Sequence, residues 1–310
     1  MTTLPAARRR SALPLWVLPA AALWATADAR ACNVPVFRYA LERWPADPYA
    51  VFVFHAGPPG RVEAAAVASL QDLAIEGRGR ANLTVETADV GAGAPGPGPA
   101  AAVWKALPPG GAPMPCLAVR YPDAEEDSPP LRAAPLTPGE AAALTDSPVR
   151  RELVRRIASG ESVVWLLLES GDRGGDDRAA EVLAAELRAL ERELRLPAGV
   201  GEAGSRLHSD LPLRIAFSVL RMSRTDPAER WLTAQLLGSG PGLAARDEPM
   251  VFPVFGRGRT LEPLVGAGIN PEVIAETAAF LCGRCGCEVK RLNPGVDLLI
   301  TADWEALLAS

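Results

Sequence analysis

The sequence predicts an α/β protein of two similar halves, each a mixed sheet flanked by helices, behind an export signal. Three observations carry that expectation. Arg8, Arg9 and Arg10 precede an apolar stretch over 12–25, and Ala29-Arg30-Ala31 has the small-x-small form of a cleavage site, so residues 1–31 read as a leader and Cys32 as the first mature residue. Beyond it, short apolar runs alternate with stretches of helical periodicity. The order of these elements then restarts near Glu161, which divides the mature chain into domains over 32–160 and 161–310.

The leader's apolar stretch is shorter than the roughly 20 residues of a spanning helix and contains Pro14 and Pro19, which favours cleavage over a permanent anchor. Lipid attachment to Cys32 is the minor alternative. In the first half, Val36, Phe37, Ala40, Leu41 and Trp44 share one helical face between Pro35 and Pro45, giving a short amphipathic helix. A buried strand over 49–55, a turn over 56–60, a helix over 61–75 and a strand over 83–87 follow. The Gly/Pro/Ala run over 91–99 holds neither helix nor central strand. A helix over 100–107, a strand over 116–121, an edge strand over 131–134 and a helix over 147–158 complete this half. The second half has a continuous apolar strand over 163–168, a periodic helix over 176–194 and a strand over 214–222. Asp226 and Pro227 then open a helix to 237. Strands over 250–255 and 260–265 flank a turn over 256–259, and Asn270 caps a helix over 271–281.

Both halves thus read strand, helix, strand, helix, strand, strand, helix, and that order resembles the thioredoxin fold, whose last two strands form a hairpin after a cis-proline. Met114-Pro115 stands where that fold places the cis-proline, and Pro249-Met250 is the looser counterpart. Redox-active members carry Cys-x-x-Cys at the end of the first strand. This chain has His55-Ala56-Gly57-Pro58-Pro59-Gly60 there, and Glu169-Ser170-Gly171-Asp172 in the second half. The resemblance therefore implies the fold without the oxidoreductase activity. The mature start from Cys32 to Trp44 also resembles that of a group of uncharacterised secreted bacterial proteins.

Removing Arg8, Arg9, Arg10 and Arg30 from 32 basic residues, and Asp28 from 37 acidic ones, leaves 28 against 36 and a net charge of −8. A mildly acidic chain of this kind is not expected to bind nucleic acid. No cofactor and no metal are expected either. Cys282, Cys285 and Cys287 form the most reactive-looking group, and in an exported protein two readings stand, a stapling disulfide and a redox centre. They follow a helix, whose C-terminal partial charge does not stabilise a thiolate. Cys32 is a candidate partner for one of the three, and Cys116 reads as a core residue. His55 is a candidate ligand-binding residue by its place at a strand end. Arg257 and Arg259 could offer two guanidiniums to an anion, or simply flank a hairpin turn. Asn82-Leu83-Thr84 matches a glycosylation sequon.

The expected function is an exported, non-enzymatic binding or assembly module. Its partner would be another envelope protein, with membrane contact confined to the surface or an uncleaved leader. The catalytic alternative is a thiol-disulfide protein using the C-terminal cysteines, and a third is a metal or electron carrier. Phe37, Leu41 and Trp44 are the candidate partner face if their helix is not core.

Overall fold

A computed structural model of the protein describes residues 33–107, 113–125, 128–286 and 289–309. The leader, Cys32 and Cys287 lie outside them. Strands β1 (Tyr49–His55), β2 (Leu83–Asp89), β3 (Cys116–Arg120) and β4 (Arg132–Pro135) form a sheet in the order β2-β1-β3-β4. β1 and β2 are parallel, while β3 runs antiparallel to both β1 and β4. Parallel neighbours require a crossover, and helix α2 (Arg61–Leu73) supplies it. Further along, strands β5 (Val163–Glu169), β6 (Phe217–Ser223) and β7 (Met250–Phe255) repeat the scheme. β5 is parallel to β6 across helix α6 (Arg173–Glu193) and antiparallel to β7. The predicted last strand is two short ones, β8 (Arg259–Thr260) and β9 (Leu264–Val265), both on β7, and β8 also pairs β10 (Val296–Asp297). The protein is thus a mixed α/β structure of two mixed sheets flanked by helices.

β5 is apolar along nearly its whole length because both its faces are covered. Val163, Trp165 and Leu167 point into a core completed by α6, helix α8 (Pro271–Cys282) and helix α1 (Val36–Arg43). Val164, Leu166 and Leu168 face a second core with helices α5 (Pro148–Ala158) and α7 (Arg230–Gly238). In the first sheet, Tyr49, Val51 and Val53 pack with α2 and helix α4 (Pro138–Thr145). Phe52 and Phe54 pack on the other side with helix α3 (Pro99–Ala106).

The covers of the two sheets cross over. α1 precedes the first sheet in sequence yet packs on the second, where Phe37, Tyr39, Ala40 and Trp44 join Val163, Trp165 and Val251. Phe37, Leu41 and Trp44 are each 4% exposed. They are core, and no partner face is left there, because burying such side chains stabilises by roughly 1.5 to 3 kcal/mol each. The helix is also pinned by polar contacts. Arg38 pairs with Glu42 at 2.7 Å in a buried bridge and donates to Ser209 O at 2.7 Å. Glu42 in turn accepts from the backbone N–H groups of His208 and Ser209. This pair therefore holds a connection over 194–216 that has neither helix nor strand.

A strap over 298–300 binds the two sheets. Leu298 and Ile300 enter the core of the second, and Leu299, pointing the other way, enters that of the first. Trp231 and Leu232 of α7 are divided in the same manner, and Trp231 donates its indole N–H to Glu140 of α4 at 2.8 Å. Glycine permits the close approaches in the turn before β8. A Cβ on Gly256 would lie 2.7 Å from Ala40 Cβ, and one on Gly258 would lie 2.6 Å from Ile300 Cγ1. Among the described residues no helix is long and apolar enough to cross a membrane.

Candidate functional site

The ends of the two parallel strand pairs occupy equivalent places in their sheets. In the first, the register sets His55 beside Asp89. His55 Nδ1 lies 2.8 Å from Gly57 O. A carbonyl only accepts, so Nδ1 carries a proton and donates it to Gly57 O. Asp89 Oδ1 accepts from Gly91 N at 2.8 Å and Gly57 N at 3.1 Å, and these bonds hold its carboxyl below the usual value. Gly57 has φ +77°, a left-handed turn position that glycine occupies without strain. The Met114–Pro115 bond, just before β3, is cis.

In the second sheet, the strand end opens into a cavity of about 370 Å³ between the start of α6 and the loop entering β7. Asp172 caps α6, accepting from Gly174 N at 3.2 Å and Gly175 N at 3.1 Å. The sequence placed the helix start three residues later, at Asp176. That residue is instead buried inside the first turn, where its carboxylate accepts from Ser170 N and Oγ at 2.8 Å and from Gly171 N at 3.0 Å. Asp176 thereby fixes the loop that forms one lip of the cavity. Of the two glycines of the first turn, each costing about 0.5–1 kcal/mol relative to alanine, Gly175 has a packing reason in the cap itself. A Cβ on Gly175 would lie 2.8 Å from Asp172 Oδ2, and one on Gly174 would lie 3.3 Å from Arg178 Nη1.

Below the lip, Arg221 bridges Glu169 at 2.6 Å and Asp177 at 2.8 Å. Its hydrogen bond keeps Asp177 ionised by lowering its pKa. Glu248 is held charged in the same way by Arg246, which meets both its oxygens, at 2.7 and 2.9 Å. Ala179, Val182, Pro249 and Ile269 supply the apolar part of the wall. Among the described residues, the cavity therefore offers fixed charges and apolar surface, with Ser170 as its one hydroxyl and with no thiol.

The predicted anion site is not formed. Arg257 donates to Leu41 O at 2.9 Å and pairs with Glu305 at 2.9 Å. Arg259 is buried, pairs with Asp297 at 3.1 Å, and donates to Pro294 O and Asn293 O at 3.2 and 3.0 Å. Both guanidiniums are occupied because α1, the segment 293–297 and Glu305 come together at the turn. Asp297 also binds Lys290, which pairs with Asp47 at 2.9 Å. Asn82 is equally committed, since its side-chain amide donates to Asp47 O and Leu298 O and accepts from Ile300 N, so the sequon serves as a strap anchor.

Cys282 and Cys285 are each 2% exposed. Burial pushes the Cys282 thiol up to about 12 and the Cys116 thiol up to about 11. The end of α8 is adjacent to the segment that enters α1, for Val36 N donates to Gly283 O and Cys285 N to Val34 O, both at 3.0 Å. Among the described residues no group of three or more His, Cys, Asp or Glu side chains is placed to hold a metal ion. Compared with protein-family models, curated proteins and solved structures, the chain has no match.

Proposed function

We propose that the protein is an exported, non-enzymatic binding module built on two thioredoxin-like halves, with the cavity beside α6 as its ligand site. The strand orders β2-β1-β3-β4 and β6-β5-β7-β8 are the same pattern, which supports the duplicated thioredoxin-like reading. The observation that carries the function is the chemistry of the second strand end. It provides a cavity within the roughly 300–1,000 Å³ range of small-ligand sites, walled by fixed charges and apolar groups and lacking a thiol. The redox alternative is weakened by Cys282, whose thiol at about 12 remains protonated at neutral pH.

Two measurements test this reading. In an insulin-reduction assay the protein is expected to give the uncatalysed rate, and activity that disappears in Cys285→Ser would replace binding with thiol chemistry. Native mass spectrometry of protein taken from its own cell envelope should show a stoichiometric bound component. Val182→Trp, which fills the cavity, should lose it. A component retained by that variant would place the site elsewhere.

A further inference from the structure

We infer that the outer edge of β2 is an interface between two copies of this chain, paired strand to strand about a two-fold axis at Thr87. The inference is independent of the cavity beside α6. In β2 the even-numbered residues turn their backbone groups to β1, for Asn82 O accepts from Tyr49 N at 2.9 Å and Val90 N donates to His55 O at 2.8 Å. The backbone groups of Leu83, Val85, Thr87 and Asp89 therefore point away from the sheet. Leu83 is satisfied there, since it donates to Ala81 O at 2.9 Å and accepts from Ile75 N at 3.0 Å. Among the described residues, no hydrogen bond reaches the outward N–H and C=O groups of Val85, Thr87 and Asp89, and the side chains of Glu86, Thr87 and Asp89 are exposed.

The equivalent edge of the second sheet is closed by the chain itself. Phe217 N donates to Glu191 Oε1 at 2.7 Å, Val219 O accepts from Arg156 Nη1 at 3.1 Å, and Ser223 O accepts from Asp226 N at 3.2 Å. The far edge of the first sheet is the four-residue β4, which ends in Pro135. Short edge strands, proline and covering side chains are the ordinary guards against strand addition, and β2, with seven residues, has none of them. A second β2 fits this edge by register. With Thr87 on the axis of an antiparallel pair, Thr87 meets the partner's Thr87, and Val85 meets the partner's Asp89, so every outward donor and acceptor is matched. Thr–Thr pairs across antiparallel strands are favourable. The same register sets Glu86 opposite the partner's Ala88. An axis at Glu86 would instead bring two carboxylates face to face and leave Asp89 opposite Leu83, whose groups are already taken. Pairing about Thr87 joins two four-stranded sheets edge to edge, in the closed two-fold arrangement that is commonest among homo-oligomers.

Sedimentation velocity on the full chain tests the assignment. The wild type should sediment as a dimer. Thr87→Lys, which sets two ammonium groups together on the axis, should sediment as a monomer with an unchanged far-ultraviolet circular dichroism spectrum. Cross-linking reads the register, because hydrogen-bonded antiparallel partners lie about 5.5 Å apart at Cα, within the span of a disulfide. With glutathione disulfide as the oxidant, Thr87→Cys should give a covalent dimer above the wild-type background, and Glu86→Cys should not. A monomeric wild type overturns the inference, as does a dimer that persists in Thr87→Lys. Cross-linking of Glu86→Cys in preference to Thr87→Cys overturns it as well.

Discussion

At the end of β1 the chain turns through Gly57 and is tied across to β2 by Asp89, with the half-buried His55 beside it. At the end of β5 the equivalent turn is tied downward into α6 by Asp176, and the space above it is a cavity. One topology thus produces two different strand ends. The difference lies in where the carboxylate that organises the turn comes from. A residue of the neighbouring strand leaves the helix start uncapped at Gly60, whereas a residue within the helix lets Asp172 cap it and α6 extend to 21 residues. Strand order positions a site, and local capping decides what the site contains.

Four substitutions sharpen that comparison, in decreasing order of effect. Glu42→Ala removes one partner of the buried pair that fixes α1 to the second half, and it should cost about 3–5 kcal/mol because Arg38 is left buried and uncompensated. Urea unfolding measures this, and a loss below about 1 kcal/mol would show that α1 is held by its apolar face alone.

Leu298→Ala and Leu299→Ala truncate neighbours that enter different cores, and each should cost about 2–5 kcal/mol. Tryptophan fluorescence and far-ultraviolet circular dichroism should report a single transition for both variants, since the strap couples the sheets. Separate transitions, with Leu299→Ala lowering only one, would establish that the two sheets unfold independently.

The smallest effect concerns Asp89. Its pKa is lower in the folded chain than in the unfolded one, so its contribution to stability is present above the ordinary carboxylate value and is lost as the pH falls through the folded value. The melting-temperature gap between the wild type and Asp89→Asn should therefore be larger at pH 7 than at pH 3. A gap independent of pH would mean that the charge of Asp89 does not matter to the turn.

The strands β1, β5 and β7 were legible because continuous apolar runs bounded by turn residues have few alternatives, and α6 was legible from its period. Other elements were not. α4 lies just ahead of α5, separated by Asp146 and Ser147, and its Ala-rich sequence has little amphipathic pattern. The pairing of Asp89 with His55 was hidden because parallel neighbours are joined through a helix, and their register is absent from local spacing. Arg257 and Arg259 looked available for the same reason, since Glu305 and Asp297 are distant in sequence.

By itself, the sequence determined the mixed α/β class, the repeated order of elements and the absence of a cysteine pair at either strand end. These follow from residue type and short-range periodicity, which act within a few residues. Only the tertiary structure decided that the face of Phe37, Leu41 and Trp44 is core, that Asn82 anchors the strap, and that Arg156 and Glu191 cover the outer edge of β6. The physical reason is common to all three. Apolar faces and buried polar groups must be covered or paired, but their chemistry does not name the partner, and the partner is chosen when distant segments compete for the same surface.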